Sequence, residues 1–410
     1  MANIKPFKAL RPQPGIAKQL ASLPYDVLSS AEARKEAQGN PYTFLHITKS
    51  EIDLSDKIDI HSPEVYEQAR HSLNNFMLRD LLFREVKDCY YIYQLIMNGR
   101  AQTGLVCVSS VDDYENEVIK KHEFTRPEKE LDRITHIQTT GAQTGNVFLA
   151  YRNNAKVDAI IDNWKATKNT AYDFTADDGI QHTIWIVNDN VTISEITRLF
   201  AAEVPCTYIA DGHHRAASAA KVRQALGLKA APEADYFLTT LFPSNQLYIM
   251  DYNRVVKDLN NLSVADFLAA LEKSFEVTLI GKQTFHTDTL HTIGLYVEGN
   301  WYSLKAKEGT YTNDPIGVLD VSVLQEQILD PILGIKDQRT DKRIDFVGGI
   351  RGLEALEERV NSGEMACAFS LYPVTIDQLF TIADSGNVMP PKSTWFEPKL
   401  RDGLITNMIG

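Results

Sequence analysis

A chain of 410 residues with 44% hydrophobic and 23% charged residues can bury a core, and it is long enough for about two or three domains. The formal net charge of -12 gives a long-range field that repels nucleic acid and anionic membrane, and no run of Lys and Arg offsets it. The residues from Met1 to Leu10 contain no apolar signal-type core and no stretch nears the roughly 18 apolar residues of a membrane span; the four cysteines form no C-x-x-C pair, so a cytoplasmic protein with reduced thiols is expected.

In chain order, residues 1–30 read as a proline-punctuated extended segment containing Leu23-Pro24-Tyr25-Asp26-Val27, where Asp26 suits a turn. Ser29 or Ser30 caps a helix that runs to Gly39, and Pro63 opens a helix over 63–80. Tyr90–Ile96 and Thr103–Ser109 form a hairpin through Asn98-Gly99. A short helix is expected over 112–120. A polar loop and helix follow over 122–140, then strands over 146–151 and 182–187. Thr207-Tyr208-Ile209-Ala210 is a short strand that turns at Asp211-Gly212 into a helix over 214–226. Phe237–Phe242 and Gln246–Met250 read as a second hairpin. The pattern changes near residue 253, and the spacing predicts an inserted α+β unit over 251–345. It separates a core over 1–250 from a C-terminal segment, 346–410, that packs back on that core.

A strand that turns sharply into a helix leaves the first helical amides outside the helical ladder, where they and the helix dipole attract anions. Gly212 lets backbone approach a ligand, and Arg215 sits in the first turn, where a cation is unfavourable unless it meets an anion. The turn Asp211-Gly212-His213-His214-Arg215 is therefore the candidate active centre. A second polar cluster, Lys121-His122-Glu123-Phe124-Thr125-Arg126, offers Glu123 as a general base, with Lys129, Asp132 and Arg133 following at helical spacing. Lys392 and Ser393 lie in the extended segment Met389–Phe396 and can line a pocket, although on these residues alone packing of the chain end accounts for them better. No zinc spacing such as H-E-x-x-H is present, so no protein-held metal is expected; magnesium carried by a nucleotide needs only one or two carboxylates. No Walker loop, G-x-G-x-x-G fingerprint or G-x-S-x-G elbow occurs either.

Over nearly its whole length the chain resembles the bacterial and archaeal family of unknown function DUF1015. The resemblance is carried by Ile4-Lys5-Pro6-Phe7, Leu23-Pro24-Tyr25-Asp26-Val27, Asn40-Pro41, Lys121-His122-Glu123, Asp132-Arg133, Asp211–Arg215 and Met389-Pro390-Pro391-Lys392-Ser393-Thr394. The D-G-H-H-R turn with an upstream H-E pair also resembles the ParB/sulfiredoxin-like superfamily, which includes free serine kinases. That resemblance implies an α+β (mixed α/β) fold with a ParB/sulfiredoxin-like core and a nucleotide, ATP or ADP with Mg2+, at the turn. It implies a phosphotransferase acting on a small hydroxylated metabolite, with free L-serine the favoured acceptor. Glu123, His122, Asp211, His213 and His214 would be the catalytic set. Gly212, His213, His214, Arg215, Lys129 and Arg133 would hold the nucleotide, and Asp26, Thr125, Lys392 and Ser393 the acceptor. The expected partners are a nucleotide and a small molecule, with neither nucleic acid nor membrane, and a homodimer is compatible. A nucleotide-binding regulatory protein without turnover, and a phosphohydrolase, are the alternatives from other classes.

Overall fold

The structure is a computed structural model that describes residues 1–227 and 232–409. The chain divides into two compact units, and the fold is a mixed α/β one. The first unit comprises 1–121, 125–247 and 398–410; the second comprises 122–124 and 248–397.

In the first unit a nine-stranded sheet is built from β1 (Ile4–Lys5), β2 (Tyr90–Met97), β3 (Arg100–Ser110), β4 (Ile119–Lys120), β5 (Val147–Tyr151), β6 (Tyr172–Thr175), β7 (Gln181–Val187), β8 (Thr207–Asp211) and β9 (Tyr236–Pro243). Its order is β4-β8-β5-β9-β3-β2-β7-β6, with β1 added alongside β3. The β2–β3 hairpin forms as the Asn98-Gly99 pair predicts: Met97 faces Arg100, and both turn residues take positive φ. β5 and β8 are short, nearly continuous apolar runs, as strands covered on both faces must be.

The longest helices of this unit are α1 (Pro63–Leu78), α2 (Pro127–Thr140), α3 (Ala155–Thr167), α4 (Asn190–Glu203) and α5 (His213–Leu226). α3 and α4 pack Val157, Ile161, Trp164, Ile196, Leu199 and Phe200 into the main core. The first half of α5 is buried all round, with Ala216, Ala217, Ser218, Ala219 and Ala220 all covered. Small side chains let its backbone lie close to its neighbours, and Ser218 Oγ donates to the Glu130 carbonyl of α2 at 3.1 Å.

The second unit carries a six-stranded sheet of β10 (Tyr252–Val256), β11 (Phe275–Gly281), β12 (Thr292–Val297), β13 (Asn300–Ala306), β14 (Ile344–Gly348) and β15 (Cys367–Ser370), in the order β11-β13-β12-β15-β10-β14. Helix α6 (Glu354–Asn361) supplies Leu356 to a core with Val255, Tyr296, Trp301, Val347 and Ala368. Two expectations are corrected. Ile249–Met250 does not pair with the 236–243 strand; it pairs with Trp395–Phe396. Residues 346–397 do not return to the first sheet, because β14 and β15 both hydrogen-bond to β10; only 398–410 rejoin the first unit. Local pattern finds strands but not partners, and both errors are errors of partner.

Candidate active site at the Asp211–Arg215 turn

β8 ends at Asp211, Gly212 takes φ 98°, and α5 begins at His213. A left-handed residue is needed because the chain reverses from strand to helix within one position, and glycine adopts that φ without strain. A Cβ on Gly212 would also lie 3.3 Å from the Arg215 guanidinium. The helical ladder starts with Ala216 N–H donating to Gly212 C=O at 3.0 Å, so the amides of 213–215 precede it at the positive end of the dipole.

Arg215 turns inward. Only 9% of its side chain is exposed, and it donates to the Asn146 carbonyl and to Asp26 Oδ2 at 3.0 Å, with Asp211 Oδ2 at 3.7 Å. Burial opposes its charge, but Asp26 and Asp211 outweigh burial and raise its affinity for the proton. The guanidinium expected to clamp a ligand is thus committed to two carboxylates, which it aligns. Both keep a solvent face, with side chains 35% and 30% exposed. Lys399 Nζ reaches Asp211 Oδ2 at 3.4 Å from the other side. Gly145 supports the arrangement from below, since a Cβ there would sit 3.2 Å from Arg215 Cδ. Asp402, 2% exposed, completes the cluster; burial pushes its carboxyl up to about 7 while Arg215 pulls the other way.

His213 is buried at the first turn of α5. His214 Nε2 accepts the Arg126 amide at 3.0 Å, which fixes that nitrogen as unprotonated and ties α5 to the start of α2. Thr125 Oγ1 and Lys221 Nζ both bond the Glu130 carboxylate; burial alone would raise that group, and the two bonds hold it low. Thr125 therefore anchors α2 locally. Arg133, expected as a nucleotide cation, is buried, paired with Asp132 at 2.8 Å and stacked 3.9 Å over the Tyr25 ring. Lys129 is exposed on the first turn of α2.

His122 and Glu123 group with the second unit, where the His122 carbonyl accepts the Met389 amide at 2.9 Å. His122 is buried and Glu123 half-buried. Lys392 and Ser393 belong to that unit too, Lys392 exposed and Ser393 covered. The sequence reading missed Asn146, Gly145 and Asp402 as parts of the first unit's site. Lys399 carried a signal only as a cation near the chain end. Among the described residues, no group of three or more His, Cys, Asp or Glu side chains converges as a metal site. No helix among them is long and apolar enough to cross a membrane.

The first unit's site is thus a strand-to-helix turn of a mixed α/β protein, with two aligned, solvent-facing carboxylates beside a helix start. The chain belongs to the family described as "Protein of unknown function (DUF1015)", whose model matches residues 4–322. No curated protein matches it. Among solved structures it is similar to a free serine kinase variant in complex with AMP, at 13% identity and TM-score 0.38, covering 74% of this chain and 92% of that one. A conserved hypothetical protein from Pyrococcus furiosus is similar at 15% identity and TM-score 0.36, with 74% and 94% covered. SbnI with a C-terminal truncation, from Staphylococcus aureus, is similar at 11% identity and TM-score 0.39, with 73% and 86% covered.

Proposed function

We propose that the Asp211–Arg215 turn is the nucleotide site of a phosphotransferase that uses ATP or ADP with magnesium and phosphorylates a small hydroxylated metabolite, with free L-serine the favoured acceptor. The observation that carries the reading is the pair Asp26 and Asp211, both held by one buried arginine and both open to solvent beside the start of α5. Phosphoryl transfer asks a protein for positioning and charge neutralisation more than for covalent chemistry.

In this reading the amides at the start of α5 face the phosphates. Asp211 and Asp26 are the donor set for a nucleotide-borne magnesium, which takes one or two carboxylates plus phosphate oxygens. When bound, that ion neutralises charge that develops on the transferred group. Arg215 holds the two carboxylates in register, and Lys399 balances Asp211. His213 or His214 donates to the transferring group; with Nε2 of His214 accepting the Arg126 amide, the donor nitrogen of that ring is Nδ1. The general base is Glu123, which the polar cluster 121–126 offers and the superfamily resemblance implies.

The test is incubation of the full chain with ATP or ADP, magnesium and L-serine, with O-phosphoserine read by mass spectrometry. Product is expected from the wild type. Glu123→Gln should abolish product while leaving nucleotide binding intact, and unchanged turnover in that variant would remove Glu123 from the mechanism. Nucleotide binding with no phosphorylated product from any small hydroxylated acceptor would replace the reading by a regulatory one.

A further inference from the structure

The second unit buries an arginine in an unusual way. Arg254, in the middle of β10, is 0% exposed. It donates to the Tyr252 carbonyl, to the carbonyls of Pro391 at 3.2 Å and Lys392 at 3.0 Å, and to Gln338 Oε1 at 3.4 Å. All four acceptors are neutral, and no carboxylate among the described residues makes an ion pair with it. The rings of Phe346 at 5.3 Å and Tyr252 at 6.0 Å offset part of the charge. Burial still pushes the guanidinium down to about 10, which leaves it a cation at neutral pH. A buried charge is costly unless paired, and a neutral amide donor could brace carbonyls at less cost.

The carbonyls it holds belong to the loop Met389–Thr394, and they set that loop's other face. In a planar trans peptide the C=O and the following N–H point in opposite directions. With the Pro391 and Lys392 carbonyls turned onto Arg254, the amides of Lys392 and Ser393 point away from it, side by side. Lys392 takes φ 58°, the left-handed conformation that brings successive amides onto one side of a turn. Ser393 Oγ closes the turn onto the Pro390 carbonyl at 2.6 Å. The exposed Lys392 ammonium, 5.8 Å from the Tyr252 ring centroid, adds a second positive group on the same loop.

We propose that Met389–Thr394, braced by Arg254, is an oxyanion site that takes the phosphate or carboxylate group of a small metabolite. The amides of Lys392 and Ser393 and the Lys392 ammonium make the contacts, and Arg254 supplies the charge from behind as a positioning residue. The observations for this assignment lie in the second unit alone; it names the chemistry of the acceptor-holding role that the resemblance gives Lys392 and Ser393, and it is tested separately from the nucleotide site.

The test is amide hydrogen exchange of the full chain with inorganic phosphate or acetate, against chloride at equal ionic strength. One or both oxyanions should slow exchange within Lys392–Phe396 saturably; phosphate alone would mark a phosphoryl ligand, and acetate alone a carboxylate. Arg254→Gln retains donors for the carbonyls but no charge. It should raise the half-saturating concentration by roughly tenfold, while Arg254→Lys stays nearer the wild type. If Arg254→Gln does not fold, Lys392→Gly, which suits the left-handed φ, should weaken the same protection severalfold. No protection over 389–396, protection confined to the 211–216 turn, or equal half-saturation in the folded variants and wild type would each overturn the site without touching the phosphotransfer assay.

Discussion

Arg215 in the first unit and Arg254 in the second are both buried arginines, and they differ in what they face. Arg215 meets Asp26 and Asp211, with Asp402 nearby, so its charge is answered within the protein. Arg254 meets only carbonyl and amide oxygens. The same side chain therefore does two jobs. In the proposed roles, the arginine beside carboxylates aligns acceptors for a cation-bearing ligand, and the arginine beside carbonyls leaves a positive charge for an anion. Counting the charges around a buried arginine distinguishes a scaffold from an electrostatic source.

The largest effect should come from Arg215→Ala, which leaves the Asn146 carbonyl without its donor and removes the cation that holds the partly exposed Asp26 and Asp211 beside the buried Asp402; it should cost about 3 kcal/mol of stability, the low end for a broken buried pair, read by urea unfolding. Arg254→Met strands no carboxylate. It leaves only carbonyl acceptors unsatisfied and should cost less, about 1–3 kcal/mol. If the order of these two were reversed, the contrast between them would fail. Gly212→Ala should cost about 1–3 kcal/mol, through the positive φ and the approach to Arg215; it should also weaken nucleotide binding measured by calorimetry. An alanine variant as stable and as tightly binding as wild type would show that the turn is not held as described.

The last effect concerns pH. Asp402 titrates near 7 in the folded chain, well above the ordinary carboxylate value of about 4. The folded state therefore holds its proton more tightly than the unfolded state, and this group's contribution to stability falls as pH rises from about 4 to about 7. Asp402→Asn should remove that component, so its melting temperature, compared with wild type, should gain between those pH values. His136 and His182 act in the opposite sense. Burial lowers them to about 4 and about 3, so they favour the folded state more as pH rises from about 4 toward 6.5. An Asp402→Asn curve parallel to that of wild type would assign the pH response to other groups.

Much of this was legible in the sequence because it is local. Asp211-Gly212 between a short apolar run and a helix announces a strand-to-helix turn, and Asn98-Gly99 announces a hairpin. Other features depend on distant partners. Arg215 was read as facing a ligand because helix-dipole reasoning sees only the first turn; Asp26 and Asn146, which draw it inward, lie 189 and 69 residues away. Helix α5 shows no alternation of polar and apolar faces to betray that direction, since residues 215–220 are all covered and exposure begins only at Lys221. Arg254 sits in Tyr-Asn-Arg-Val-Val, where alternation puts one polar residue on each face and so marks neither side as buried, yet β10 is an interior strand and is buried throughout. The extent of the second unit was misjudged for the same reason: β14 and β15 find their partner in β10, about 90 and 110 residues earlier, and no local signal carries that pairing.

The most direct measurement is the turnover of Asp211→Asn beside wild type, with ATP or ADP, magnesium and L-serine, read as O-phosphoserine by mass spectrometry. The account predicts product from the wild type and a loss of at least about 100-fold in the variant, because Asp211 is one of the two carboxylates aligned for the nucleotide-borne ion. Wild-type product undiminished in Asp211→Asn, or no nucleotide binding by the wild type, would contradict it.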